Sequence, residues 1–387
     1  MPLEPRPAAA ALRLVVHGSI GADALAAHGL TRDDVVDFSV NTNPLGPPPG
    51  ALASVRGLSA ADVARYADAA ATPLRQALAE RLAIDVDQIV AGNGSSELIW
   101  LLALAYAHPA PATVLIASPT FGEYERACRL LGSAVAYHVA DPTNDFEPHL
   151  TKIGERVARE RPRLLWLCNP NNPTGRNVRR SEIEALLDLC ASTATLLVVD
   201  EAYLAFVERP ESLLDLVPSG RVFLLRSMTK DYALAGLRLG YGVGSRESID
   251  LLRRVQPPWS VNVAAQVAGL AALADEGHLE RSRAEVWAAR ADLVAGLARL
   301  GLRCVPPAAN FVLVEVGNAP LFCARMLAGG FALRDCTSFG LPDHVRIGVR
   351  TRQECARLLA AMGEVVREMG QETTVQVVPG KTPEVAR

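Results

Sequence analysis

Short apolar runs alternating with longer segments of helical period constrain this chain more than any other feature. The runs Thr113–Ala117, Ala134–Val139, Leu164–Cys168, Leu196–Val199 and Val222–Leu225 are rich in Val, Leu and Ile and apolar on both faces. Between and around them, apolar spacing predicts helices over Thr72–Leu82, Ser96–Tyr106, Phe121–Leu131, Ser181–Ala191 and Ser245–Arg254. Strands without a polar face must be covered on both sides, and strand–helix alternation suits right-handed parallel crossovers. The central part therefore reads as α/β, a mainly parallel sheet between helical layers.

Beyond Gln256-Pro257-Pro258 the pattern changes. Helical segments cover about Val263–Leu300, and then come strand Phe311–Val316, helix Pro320–Leu327, strands Phe331–Arg334 and Val345–Val349, and helix Gln353–Met369. This mixture predicts a smaller α+β lobe. From Gln371 to Arg387 periodicity is lost, and Gly380, Pro379 and Pro383 predict a frayed tail.

Composition excludes several classes. The 387 residues carry 39 basic and 42 acidic side chains, a formal charge of −3, which argues against a nucleic-acid or polybasic membrane partner. No window of about 18 apolar residues occurs, so no membrane span is expected. The apolar stretch near the N-terminus is broken by Arg13 and lacks the form of a signal peptide. Seven cysteines, odd in number and without a CxxC pair, point to a reducing cytoplasm rather than to disulfides or zinc. Lysine is rare: 36 basic residues are arginine and only Lys152, Lys230 and Lys381 are lysine.

Four motifs close or follow apolar runs. Ala91-Gly92-Asn93-Gly94-Ser95-Ser96-Glu97 opens an apolar helix, as a phosphate seat would, or as a tight turn with a serine cap would. Cys168-Asn169-Pro170-Asn171-Asn172-Pro173-Thr174-Gly175 follows a buried strand, where ligands of α/β sheets gather, although turns also use these residues. Leu196–Val199 ends in Asp200-Glu201-Ala202-Tyr203; Asp200 is either a cap or a carboxylate for a heterocyclic nitrogen. Leu224-Leu225-Arg226-Ser227-Met228-Thr229-Lys230 leads to Gly236-Leu237-Arg238. A lysine held in apolar surroundings beside other cations loses basicity and becomes a usable nucleophile. Each motif alone is weak. Together they match one ligand, pyridoxal 5′-phosphate (PLP), whose aldehyde needs an amine, ring nitrogen a carboxylate, ring oxygen donors, and phosphate a basic N–H-rich cup.

From about His17 to Arg367 the sequence resembles the fold-type-I PLP-dependent enzymes, in the branch of histidinol-phosphate aminotransferases and threonine-phosphate decarboxylases. The resemblance implies a three-layer α/β/α large domain over 50–275, a small α+β domain from 1–49 with 276–370, and a flexible tail over 371–387. It implies Lys230 as the lysine that bonds the cofactor, Asp200 at the ring nitrogen, and Asn172 and Tyr203 at the ring oxygen. Gly94, Ser95, Ser227 and Arg238 would hold the phosphate and Phe121 would stack on the ring. Tyr66 would reach the cofactor phosphate of a neighbouring subunit, implying a homodimer. Arg346 would hold a substrate carboxylate and Arg334 a substrate phosphate, with His17, Asn43 and Asn172 also at the substrate.

The segments Asp37–Gly46, Pro258–Asn262, Arg334–Cys336 and Val345–Arg350 look more like the decarboxylases. Tyr203 leans toward the aminotransferases, and His17-Gly18-Ser19 departs from the decarboxylases' His-Gly-Gly. The leading expectation is decarboxylation of O-phospho-L-threonine to aminopropanol phosphate, as in cobalamin synthesis. The alternatives are an aminotransferase acting on histidinol phosphate or a related amine, and a non-catalytic PLP-binding protein. The expected partner is a small phosphorylated amino-acid substrate, and no metal is expected.

Overall fold

The computed structural model describes residues 3–12, 15–107, 109 and 113–375, with side chains to residue 369. Arg13 and the last twelve residues of the expected tail, 376–387, lie outside it. A seven-stranded sheet forms the centre: β1 (Ile89–Asn93), β2 (Thr113–Ser118), β3 (Ala134–Val139), β4 (Leu164–Cys168), β5 (Leu196–Asp200), β6 (Val222–Ser227) and β7 (Leu239–Val243). The order is β1-β7-β6-β5-β4-β2-β3; only β7 runs against its neighbours.

Alternation along the strands fills two layers. Leu115, Leu165, Leu197, Val199 and Leu224 face one apolar cluster, and Val114, Ile116, Trp166, Val198 and Phe223 face the other. Helices Thr72–Leu82, Leu150–Glu160, Arg180–Thr193 and Val263–Ala274 cover the first face. Helices Gly94–Tyr106, Glu123–Leu130 and Arg246–Val255 cover the second. The expected helix over 72–82 is found with those bounds, and the others shift by one or a few residues at their ends.

Strands β1 and β7 were not anticipated. Glycines mask them, because Gly92, Gly240 and Gly242 lower strand propensity. Each has a packing reason. A Cβ on Gly242 would stand 2.6 Å from the Phe223 ring, and one on Gly240 would stand 2.4 Å from the Ser95 nitrogen. Glycine in these strands allows close approach.

The smaller lobe holds a three-stranded antiparallel sheet in which β8 (Phe311–Glu315) and β9 (Arg334–Asp335) flank the central β10 (His344–Gly348). Helices Glu276–Arg299, Ala319–Ala328 and Arg352–Val375 accompany it. The single strand expected over 331–334 is two: Phe331–Ala332 pairs in parallel with Val36–Asp37, and β9 pairs with β10. Leu333, between them, is buried in the lobe's core, so the chain changes partner there. The last helix runs on to Val375, past the boundary expected at 371. Phe38, fully buried, joins the N-terminal segment to this lobe. Among the described residues no helix is long and apolar enough to cross a membrane.

Gly240→Ala places a methyl against the Ser95 backbone and is expected to cost about 1–3 kcal/mol of stability. Gly236, with no neighbour within 4 Å of an added Cβ, is the control. Thermal denaturation should show a lowered midpoint for the first and little change, within about 0.5 kcal/mol, for the second.

Candidate active site

Topology places the motifs together. Strands β1, β4, β5 and β6 share one direction, so Gly94, Asn172, Asp200 and Lys230 all follow C-terminal ends at one edge. Strand β7 is reversed, so Arg238, just before it, arrives at the same edge; Asn93 pairs with Leu239 there. A cleft of about 1310 Å³ opens at this edge, lined by residues of both lobes, among them Asn172, Tyr203, Lys230, Arg238, Arg334 and Arg346.

Lys230 lies in the short turn of helix Met228–Asp231 after β6. Burial lowers its pKa to about 8; Arg346 and Arg238 push the same way, against Asp200 and Asp231. Ser227 and Thr229 hydroxyls lie 2.6 Å apart beside it. Arg238 has a left-handed backbone, φ 64°, and its guanidinium crowds Gly94, where a Cβ would stand 2.7 Å from Nη2. Ser96, rather than the expected Ser95, contributes to the cleft wall at the start of helix Gly94–Tyr106.

Asp200 is buried behind the cleft wall. The Tyr124 hydroxyl donates to its Oδ2 at 2.6 Å and the Ala202 N–H to its Oδ1 at 3.0 Å. Burial raises its pKa to about 6 against these hydrogen bonds, so it is ionised at neutral pH. The sequence reading missed Tyr124, which counted only as helix interior. Its signal was chemical: a buried tyrosine needs a partner for its hydroxyl. The ring stacks on Trp166 at 4.8 Å, which fixes where that hydroxyl points.

The arginines come from paired strands. Arg334 on β9 is the register partner of Arg346 on β10, so both side chains leave the sheet on one face. Arg346 donates to Asn172 Oδ1 at 2.5 Å and to the Ser39 carbonyl at 2.8 Å, and its buried Nε has no acceptor among the described residues. The first bond orients the Asn172 amide, leaving its Nδ2 as a donor. Tyr203 is buried, its pKa pushed up to about 12 by burial, and receives a long 3.5 Å contact from Asn41. Asn41 also lines the cleft, and its buried Oδ1 has no partner among the described residues. Neither Asn41 nor Thr229 was anticipated.

His17 and Phe121 stand at the opposite wall, ring centroids 5.8 Å apart. His17 Nε2 lies 3.1 Å from the buried Glu123 carboxylate. Asn43 departs from expectation: its side chain is turned away from the cleft. Its Nδ2 donates to the Asp231 carbonyl at 2.8 Å and to Ser282 Oγ at 2.7 Å, and its backbone N–H donates to the Lys230 carbonyl at 3.0 Å. It fixes the lysine turn, because the irregular segment 39–43 crosses from the small lobe to that turn and brings Asn43 against it. Tyr66 is 79% exposed, stacks on Trp259 at 4.3 Å and does not line this cleft.

The cleft fits the expected cofactor. Glycine backbones leave room beside Arg238 and the helix start, a neutralisable amine faces an anionic carboxylate, and the Asn172 amide and Tyr203 phenol offer donors. The model of the family "Aminotransferase class I and II" matches residues 33–362, and the chain belongs to that family. Its enzymes depend on PLP. Histidinol-phosphate aminotransferase of Symbiobacterium thermophilum is 41% identical over 338 residues, covering 86% of this chain and 91% of that protein. Histidinol-phosphate aminotransferase 1 of Thiobacillus denitrificans is 38% identical over 87% of each. The structure of the Sinorhizobium meliloti histidinol-phosphate aminotransferase with pyridoxal-5′-phosphate superposes with a TM-score of 0.83 at 25% identity, covering 94% of this chain and 97% of that one.

These relatives overturn the decarboxylase expectation. An L-threonine-O-3-phosphate decarboxylase of Porphyromonas gingivalis matches in structure, TM-score 0.74, at only 26% identity, covering 85% of this chain and 99% of that one. Three of the four segments that suggested it build the strap 37–46 and the arginine strands β9 and β10, and the fourth, 258–262, precedes helix Val263–Ala274. None of these features specifies which bond breaks.

Acylation of Lys230 by an amine-specific reagent in cofactor-free protein should reach half its limiting rate near pH 8, not near the 10.4 of a free lysine. Peptide mass spectrometry across pH checks this.

Proposed function

We propose that this chain is an aminotransferase that takes the amino group of histidinol phosphate and passes it to 2-oxoglutarate. One observation carries the reading: a half-buried, low-pKa lysine shares a cleft with two arginines projecting side by side from paired strands. A donor with a phosphate and an acceptor with two carboxylates both need such cations. The similarity to histidinol-phosphate aminotransferases supports the choice of donor.

In this reading Lys230 holds the cofactor, Asp200 pairs with its ring nitrogen, and Asn172 and Tyr203 donate to its ring oxygen. Arg238 and the start of helix Gly94–Tyr106, where Ser96 lines the cleft, receive its phosphate beside Ser227, and Phe121 covers the ring. Bound there, PLP supplies an electron sink for charge left on the substrate α-carbon. Lys230 Nζ, once free, takes the proton from that carbon and returns it elsewhere, a task suited to an amine with a pKa near 8. Arg346 offers its free Nε edge to a carboxylate, and Arg334 attracts the phosphate. Tyr124 keeps Asp200 oriented and ionised. Asn43 holds the lysine turn rather than the substrate.

The same proposal includes a large domain, 50–275, and a small one, 1–49 with 276–370, on either side of the cleft. It includes a cytoplasmic homodimer in which the exposed Tyr66 completes the partner's cofactor site.

Purified holoenzyme should form glutamate from 2-oxoglutarate only when histidinol phosphate is supplied; no glutamate overturns the reading. Lys230→Ala should lower kcat on the order of 10³-fold, as expected for removing a general base. Tyr124→Phe removes a bond that holds the Asp200 pKa down, so the acidic limb of the kcat profile should move to higher pH.

A further inference from the structure

The donors around Arg334 are unevenly used. Its Nη2 has two hydrogens, and two acceptors take them: the Val16 carbonyl at 2.6 Å and Ser338 Oγ at 2.6 Å. The guanidinium lies over the Phe339 ring at 5.3 Å, which fixes its plane. A two-oxygen clamp on arginine needs parallel N–H groups from neighbouring nitrogens, and every such pair on this side chain includes Nη2. Arg334 therefore attracts an anion but lacks a free fork for it. Ser338 supplies the missing donor. Its oxygen accepts from Nη2, so its own proton points elsewhere, and among the described residues no acceptor is recorded for it. Ser338 is exposed in the short 337–339 turn and lines the cleft. The nearby Asp335 carboxylate is turned to its own loop, accepting from the Thr337 N–H and hydroxyl.

We propose that Ser338 is a specificity-setting substrate contact, donating its hydroxyl proton to a phosphoryl oxygen of a phosphate monoester held beside Arg334. The inference rests on the phosphorylated-amine reading above and extends it to a residue outside the recognised motifs. A phosphoryl group presents three terminal oxygens, enough for Arg334 and Ser338 together. A carboxylate presents two and gains less from the extra donor. Ser338 thereby favours a phosphate over a carboxylate at this end of the cleft.

The test uses holoenzyme and non-reacting probes. Calorimetric binding of a simple alkyl phosphate is compared with binding of maleate, a dicarboxylate, for the unaltered chain, Ser338→Ala and Ser338→Thr. Loss of one charge-assisted hydrogen bond should weaken alkyl phosphate about tenfold in Ser338→Ala. Maleate affinity should stay within about twofold, and Ser338→Thr should keep near-normal phosphate affinity because it retains the hydroxyl. Equal weakening toward both probes would show that Ser338 merely props Arg334 and would overturn the proposal. Unchanged phosphate binding in Ser338→Ala, or no phosphate binding by the unaltered chain, would overturn it too. Normal alkyl phosphate selectivity without turnover of histidinol phosphate would leave this contact standing and sink only the choice of substrate.

Discussion

Burial of positive charge at one sheet edge organises this molecule. Arg334 and Arg346 are buried and Lys230 is half-buried around a single cleft, and among the described residues Arg346 is bonded by an amide and a carbonyl oxygen rather than a carboxylate. Desolvated cations are costly unless paired. In the proposed reading an anionic ligand supplies part of that pairing, and the buried Asp200 meets the ligand's cationic ring nitrogen. The lowered lysine pKa comes first from desolvation and then from the like charge of Arg346 and Arg238, which together make the neutral amine easier to reach.

The N-terminal strap links that electrostatic centre to the fold. Phe38 anchors it in the small lobe's core, the Ser39 carbonyl accepts from Arg346, and Asn43 bonds the backbone of the lysine turn. One short segment thus touches both Arg346 and the backbone that supports Lys230. Movement of the small lobe would be felt at both places. The reversed strand β7 plays a comparable part on the other side, returning Arg238 to the edge at which the parallel strands end.

The comparison of aminotransferase with decarboxylase shows what motifs can carry. The strap and the arginine strands were legible and resembled one branch, yet the matches of higher identity, 38% and 41%, lie with histidinol-phosphate aminotransferases. Which bond at the α-carbon breaks depends on how a substrate's ends are held relative to the ring. Anion-holding residues are needed in both reactions, so their presence does not discriminate.

The sequence by itself determined the strand–helix alternation and the polar motifs at strand ends, hence Lys230, Asp200, Asn172 and Arg238. Local pattern is enough there, because period and chain direction fix which end of a buried strand meets solvent. Tertiary structure alone decided the rest. It placed Tyr124 on Asp200, turned Asn43 away from the cleft while Asn41 faced it, set Arg334 opposite Arg346, and put the Ser338 hydroxyl on Arg334. Those partners come from elements far apart in the chain, and their meeting depends on strand register, sheet order and packing, for which neighbouring residues hold no record.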